Sequence, residues 1–252
     1  MASTRTARLD LSRPRTYGEL LQASLQVFGR HADVLLTLAL VLVAPVTLIV
    51  DGIWGHALAD GANADPSLVA QGVSAAISVF VILPLVTASI ALVVRDLGAG
   101  SEPRDVGSVL RAGVHAFPRV LGAVVLYAIA CLAGFVLFVV PGVWLAIRCY
   151  FAAQAAAVDG LVPAAAMRRS SDLVQGTWWR TCGCLVGTGL MLGLVGSIAT
   201  SAFAASGNGA LFVAGAAVVE SVVVSITAIF AALLFFDLRA RATTASVDTM
   251  AE

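Results

Sequence analysis

The chain contains no lysine and few charged residues of any kind. Its 252 residues include 15 basic and 15 acidic side chains; charged residues make up 12% of the sequence and hydrophobic residues 60%. Soluble globular domains carry about 25% charged and about 45–50% apolar residues. Because so few charges cannot cover a water-exposed surface, the composition excludes an ordinary soluble enzyme and predicts a protein surrounded mostly by lipid.

Cysteine and histidine are also scarce. The four cysteines, Cys131, Cys149, Cys182 and Cys184, lie in apolar segments, whereas a disulfide framework needs exposed loops. We interpret them as packing residues, since a metal or redox pair at 182 and 184 lacks a nearby histidine or acidic partner. The three histidines lack metal-ligand spacing, and the sequence contains no phosphate-binding loop, nucleophile elbow or HExxH motif. We therefore predict no metal, no cofactor and no catalytic site.

Long uncharged runs give the number of membrane-spanning helices. A span needs about 20 mostly apolar residues. Two of the runs are too long for one span, and turn signals divide them, at Pro141 and Gly142 and at residues 206–209. We predict six spans, at residues 34–50, 72–94, 120–140, 143–158, 179–204 and 210–236.

Short amphipathic helices are predicted on the cytoplasmic side before spans 1, 3 and 5. The first begins after Thr16, because Thr16 and Glu19 have the spacing of a capping box, and its apolar residues then share one face. Residues 107–119 and 165–174 repeat this pattern. The predicted fold is an all-α polytopic membrane bundle over residues 16–238, with disordered cytoplasmic tails at 1–15 and 239–252.

All basic residues are arginine, and they lie on one side of the predicted spans. Fourteen of the 15 fall in the two tails and in the loops after spans 2 and 4, whereas the opposite loops contain none and carry Asp51, Asp60 and Asp65. Arginine-rich short loops remain on the cytoplasmic side, so both termini are predicted to be cytoplasmic. The arginines alternate with apolar residues and form no basic block, which argues against nucleic acid as a partner.

Two charged residues fall deep inside predicted spans, away from the span ends. Arg148 in span 4 and Glu220 in span 6 lie about 10–15 Å from the outer ends of their helices at ~1.5 Å per residue. A charge within the membrane costs at least about 2.5 kcal/mol and usually faces protein or a water-filled cavity. One hypothesis is an Arg148–Glu220 ion pair, or a protonated Glu220, with a structural role. The other is a proton or cation site at Glu220, with hydroxyls from Ser221, Ser225 and Thr227.

Several motifs are similar to those of a known family. They are TYGELL at 16–21, FGR at 28–30, PGVWLAIR at 141–148, DG at 159–160, AMRRSSDLVQG at 166–176 and LLFFDLR at 233–239. Together they resemble bacterial six-helix proteins related to the glycerophosphoryl diester phosphodiesterase membrane domain. The resemblance implies that seven residues occupy recurring family positions: Arg148, Asp159, Arg169, Ser170, Gly176, Asp237 and Arg239, with Asp159 where glutamate is more usual.

The resemblance does not imply the phosphodiesterase reaction. That chemistry belongs to a separate soluble barrel of roughly 250 residues, for which we expect no room beside six spans. The resemblance implies a multi-pass protein of the bacterial inner (plasma) membrane without an assigned reaction.

Three functions are compatible with these features. We expect a non-enzymatic scaffold or regulator of membrane or envelope homeostasis, which contacts membrane lipids and a possible protein partner at the cytoplasmic face. The alternative is a small-molecule or lipid transporter that uses Glu220 and Arg148. A membrane enzyme is the third, with Asp159, Arg168, Arg169 and Asp172 as its candidate residues. The sequence does not indicate an oligomeric state.

Overall fold

The computed structural model describes residues 11, 13–49, 72, 75–101 and 105–251, with side chains as far as residue 244. The predicted outer loop with Asp51, Asp60 and Asp65 lies outside the described residues, and so do residues 1–10. The described residues form nine α-helices and no strand. These are α1 (Tyr17–Arg30), α2 (Ala32–Thr47), α3 (Leu83–Ala99), α4 (Val106–Leu137), α5 (Val139–Arg148), α6 (Ala152–Val158), α7 (Pro163–Val174), α8 (Trp178–Ala204) and α9 (Gly209–Ala251).

Five helical segments are long and apolar enough to cross a membrane: Ala75–Ala99, Val106–Leu137, Val139–Val158, Trp178–Ala204 and Gly209–Thr244. A sixth span is obtained if α1 and α2, which meet at an angle of 87°, are counted as one broken span. By length and composition, the described part of the chain therefore has the helices of an all-α multi-pass membrane protein.

The predicted start of α1 is confirmed. Thr16 has extended backbone angles and accepts a hydrogen bond from the backbone N–H of Glu19, while the Glu19 carboxylate accepts one from the N–H of Thr16. This exchange satisfies two amides that have no partner within the first turn of a helix. Leu20, Ser24 and Val27 then form the buried face of the helix.

The predicted amphipathic helix at 107–119 is not a separate element. It continues directly into the predicted third span as α4, which runs for 32 residues and passes through Pro118 without a break. Asp105 caps its start by accepting hydrogen bonds from Ser108, and these bonds hold the pKa of the Asp105 carboxyl below its ordinary value. Gly122, the first glycine after position 119, does not have a positive φ, so it does not end the helix there.

The turn predicted at Pro141 and Gly142 lies at Phe138 instead. Phe138 is extended, and α5 begins at Val139, so Pro141 lies in the first helical turn, where a missing N–H costs no hydrogen bond. Gly142 has a packing role: a Cβ atom there would lie 2.9 Å from the backbone nitrogen of Phe135. The glycine therefore allows α4 and α5 to pack closely and does not form the turn.

Two other predicted boundaries differ from the structure. The fourth span, predicted as one helix over 143–158, is broken at residues 149–151 into α5 and α6. The C-terminal residues expected to form a disordered tail continue α9 as far as Ala251, because the sequence after Arg239 contains neither glycine nor proline.

The core includes residues from every described helix, and within it α3 packs against α4, α6 and α9. Its largest fully buried side chains include Ile90 from α3, Phe151 at the start of α6, and Phe230 and Phe235 from α9. Alanines on α6 keep this contact close, since Ala152, Ala155 and Ala156 are all buried. The polar residues at the C-terminal end of this core make up the candidate site.

Candidate functional site

Six of the seven positions implied by the resemblance, all except Gly176, belong to three groups that adjoin one another. Asp237 and Arg239 are neighbours on α9, and Arg169 and Ser170 are neighbours on α7. Ion pairs and hydrogen bonds connect these two helices with the chain around Asp159 and Arg148. We name the groups the Asp237 cluster, the Asp159 cluster and the Ser170 junction.

The Asp237 cluster fixes the N-terminal segment to the ends of α8 and α9. It consists of Asp237, Arg180, Arg241 and the main chain of Arg15. One carboxylate oxygen of Asp237 accepts hydrogen bonds from Arg180 at 2.8 Å and from Arg241 at 3.0 Å, and the other accepts the backbone N–H of Arg15 at 2.5 Å. Both arginines also donate to the backbone carbonyl of Arg15, at 2.6 and 2.9 Å.

Because the Asp237 side chain is buried, its ion pairs and hydrogen bonds are important for the stability of the fold. The Asp237 side chain is only 1% exposed, whereas the Arg180 and Arg241 side chains are 28% and 32% exposed. A carboxylate in this position is tolerated because it is both ion-paired and hydrogen-bonded. The cluster also satisfies both backbone polar groups of Arg15, at the place where the chain approaches α1.

The Asp159 cluster lies after α6 and consists of Asp159, Arg119, Arg169 and Arg239. Arg239 binds one carboxylate oxygen of Asp159 at 2.8 Å, and the Nε of Arg169 lies 4.0 Å from the other. The Arg239 guanidinium also lies 5.6 and 5.9 Å from the ring centres of Phe235 and Phe236, which is within the range of a cation–π contact.

Arg119 joins this cluster beside Gly160. Gly160 has φ +66°, a left-handed conformation that favours glycine, and a Cβ atom there would lie 3.8 Å from the Nη1 of Arg119. Arg119 is exposed and forms no ion pair with a described residue. The cluster therefore brings two guanidinium groups to the Asp159 carboxylate and a third beside the adjacent Gly160.

The Ser170 junction holds the break between α5 and α6. The Ser170 hydroxyl accepts a hydrogen bond from the N–H of Phe151 at 3.1 Å and donates one to the carbonyl of Arg148 at 2.9 Å. Helix ends leave such groups without an intrahelical partner, and the fully buried Ser170 supplies one from a neighbouring helix. This explains why a serine on α7 is needed where the fourth predicted span is interrupted.

Arg148 and Glu220 do not form an ion pair in this structure. The Nε of Arg148 donates to the hydroxyl of Ser171, and its guanidinium lies 4.6 Å from the ring centre of Trp144. Glu220 is exposed on α9. The proposed pair depended on both helices turning these side chains towards each other, which a count of residues along a span cannot establish.

The hydroxyl groups near Glu220 bond to main-chain carbonyls. Ser221 donates to Ala217 at 2.7 Å, Ser225 to Leu35 of α2 at 3.5 Å, and Thr227 to Val223 at 2.7 Å. Two of these bonds lie within one helix and the third joins two helices. All three therefore have structural partners without a bound ion.

Gly176, the remaining position implied by the resemblance, lies in the turn between α7 and α8. It has φ +81°, and glycine is favoured in this conformation just after a helix ends. The turn places Trp178 so that its indole N–H donates to the carbonyl of Trp144 at 3.3 Å. The start of α8 is thereby attached to α5.

The sequence-based prediction missed three members of the Asp237 cluster. The sequence does not indicate that Arg15, Arg180 and Arg241 share one partner, or that Arg15 is buried. Nothing local marks them as partners, since Arg15 and Asp237 are separated by 222 positions in the chain. Their arginine identity is the one available signal, because the planar guanidinium can bind a carboxylate and a carbonyl at once.

The described residues contain no group of three or more histidine, cysteine, aspartate or glutamate side chains placed to hold a metal ion. Comparisons of the sequence with protein-family models and curated proteins, and of the structure with solved structures, found no match.

Proposed function

We propose that this chain is a six-span protein of the bacterial inner (plasma) membrane that acts as a non-enzymatic scaffold or regulator in membrane or envelope homeostasis. In this proposal α1 and α2 form one broken span, both termini are cytoplasmic, and the arginine-rich end of the bundle faces the cytoplasm. The one-sided distribution of arginine supports this orientation.

The observation that carries the proposal is the pairing within the arginine-rich end. Asp237, Arg180 and Arg241 are occupied by one another and by the main chain of Arg15. Asp159 is paired with Arg239, and Ser170 is occupied by the backbone of α5 and α6. These contacts bind distant parts of the chain into one preorganised polar surface, and preorganisation lowers the entropic cost of binding a partner.

The surface of α7 is the part of this end that we propose a protein partner contacts. Its buried side includes Ala166, Ser170 and Leu173, whereas Arg168 and Asp172 are exposed. The two exposed residues offer charges of both signs at i,i+4 spacing, without an ion pair between them in the structure. Such side chains can form charge-assisted hydrogen bonds with a partner.

A crosslinking experiment tests this function. A photo-crosslinking amino acid in place of Arg168 should give an adduct with one defined protein in native membranes. The same amino acid in place of Leu194, which is 63% exposed on the apolar α8, should crosslink only lipid. The protein adduct at 168 should persist in Glu220→Gln, because that residue has no part in the proposed surface.

Two results would count against the scaffold. The absence of a reproducible protein adduct at 168 would remove its main support. Glu220→Gln could instead cause the same cellular defect as deletion of the protein, while folding and membrane insertion are unchanged. A transport role for Glu220 would then replace the scaffold proposal.

A further inference from the structure

We propose that the Asp159 cluster binds the phosphate group of an anionic membrane lipid. The inference does not rest on the scaffold role, since it concerns a lipid ligand and not a protein partner. It starts from the excess of positive charge: Arg169 and Arg239 contact the single carboxylate of Asp159, and the Arg119 guanidinium lies beside the adjacent Gly160. The exposed Arg168 and Asp172 nearby cancel each other in charge, so two positive charges remain.

Most of the hydrogen-bonding capacity of these arginines is unused within the described residues. Each guanidinium has five N–H donors. Arg239 uses one on Asp159, Arg169 makes a single contact with Asp159 at 4.0 Å, and Arg119 makes none. Phosphate is the complementary ligand, because its oxygens accept the paired N–H groups of arginine in a planar, bidentate manner.

The cluster is also held in position before any ligand arrives. Asp159 draws Arg239 and Arg169 towards the same point from different helices, and the rings of Phe235 and Phe236 support the Arg239 guanidinium. The Arg169 and Arg239 side chains remain 41% and 35% exposed. Asp159 therefore acts as the group that orients the arginines, while their outer N–H groups stay available.

The position of Arg119 along α4 favours a lipid over a soluble ion. Arg119 and Leu137, the last residue of the helix, are 18 residues apart, which corresponds to about 27 Å at 1.5 Å per residue. This is close to the thickness of about 30 Å of the hydrocarbon layer. With Leu137 at one surface of the hydrocarbon, Arg119 lies at the level of the opposite headgroups, where lipid phosphates are concentrated.

Gly160 lies beside Arg119, and Arg169 and Arg239 contact the adjacent Asp159, so the other members lie close to the same level. Pro163 packs against Gly122, where a Cβ atom would lie 2.7 Å from the proline ring, and Gly122 is one turn from Arg119. Arginines at the cytoplasmic surface attract the anionic lipids of that leaflet. The Asp159 cluster thus has an excess of positive charge and N–H donors without partners among the described residues. It also lies at the level of the lipid headgroups.

Native mass spectrometry of the full chain in a neutral detergent tests the assignment. Phosphatidylglycerol, phosphatidylcholine and inorganic phosphate are the three probes. We expect one saturable phosphatidylglycerol on the wild type, and Arg119→Gln should raise the lipid concentration for half occupancy about fivefold. Arg111→Gln is the matched control, because Arg111 is exposed on the same helix two turns away; its binding curve should equal that of the wild type.

Arg119→Gln breaks no ion pair with a described residue, so it should elute and unfold like the wild type when lipid is absent. Arg169→Gln provides a second variant with the same expected loss of binding. Equal binding by all variants, or non-saturable binding of phosphatidylglycerol, would overturn the proposal. Tight binding of inorganic phosphate alone would overturn the lipid assignment.

Discussion

Replacing Asp237 by alanine should lower the stability of the protein by about 3 kcal/mol, at the lower end of the cost of breaking a buried ion pair. The substitution leaves Arg180 and Arg241 side by side without their carboxylate, and the N–H of Arg15 without its acceptor. Partial exposure of the two arginines allows them to turn towards water, which keeps the loss from being larger. The midpoint temperature of unfolding in detergent should fall by roughly 6–12 °C.

Asp96→Ala is the matched control for this result. Asp96 forms an ion pair with Arg95 in which both side chains are nearly half exposed, at 47% and 46%. Exposed pairs contribute about 0–1 kcal/mol, so this variant should unfold close to the wild-type temperature. If Asp237→Ala and Asp96→Ala unfolded at the same temperature, the Asp237 cluster would not hold the N-terminal segment to the bundle.

Replacing Gly113 by alanine should be the most disruptive single methyl addition between α3 and α4. The added Cβ would lie 2.0 Å from the hydroxyl oxygen of Ser89 and 3.2 Å from its Cβ. Ser89 is completely buried, so it cannot move out of the way into solvent. Overpacking of this kind costs about 1–3 kcal/mol, and we expect a lower unfolding temperature and a smaller yield of monodisperse protein.

A second substitution tests whether steric contact with Ser89 causes the loss of stability. Ser89→Gly in the Gly113→Ala background removes the atoms that the new methyl group meets, and it should restore part of the lost stability. It also removes a buried hydroxyl that has no hydrogen-bond partner among the described residues. Gly183→Ala on α8 is the control, because a Cβ there has no neighbour within 4 Å. Loss of stability in Gly183→Ala, or no rescue by Ser89→Gly, would show that steric contact is not the cause.

The parts of the fold that depend on local chemistry were predictable from the sequence. The Thr16 and Glu19 spacing correctly gave the start of α1, and the SGNG segment correctly separated α8 from α9. Each signal involves residues a few positions apart, whose hydrogen bonds or backbone angles decide the structure. Uncharged runs were likewise sufficient to find most of the apolar helices.

The helix boundaries that were predicted wrongly depend on packing between different helices. Pro141 and Gly142 have the composition of a turn, yet the turn lies three residues earlier because Gly142 is needed for contact with α4. The break in the fourth predicted span depends on a hydroxyl from Ser170, which belongs to a later helix. No pattern within residues 143–158 could have indicated a partner located beyond them.

The candidate site also divides into features that the local sequence indicates and contacts that depend on packing. Arg148 and Glu220 were identified correctly as charges within apolar segments, but their partners depend on helix rotation, and Arg148 contacts Ser171 and Trp144 instead. Six of the seven positions implied by the resemblance, all except Gly176, belong to adjoining groups in the structure, which sequence separation alone did not require. The role of Arg15 could not be predicted from its side chain, because the backbone N–H of this residue binds Asp237.

The central claim is that the arginine-rich end of a six-span bundle faces the cytoplasm. Alkaline phosphatase, which is active only outside the cytoplasm, can be fused after residue 252, after residue 161 between α6 and α7, and after residue 207 between α8 and α9. We predict activity only for the fusion at 207, since α8 and α9, which flank it, are each long and apolar enough to cross the membrane once. Activity at 252 or 161, or its absence at 207 in a stably inserted fusion, would contradict the proposed orientation.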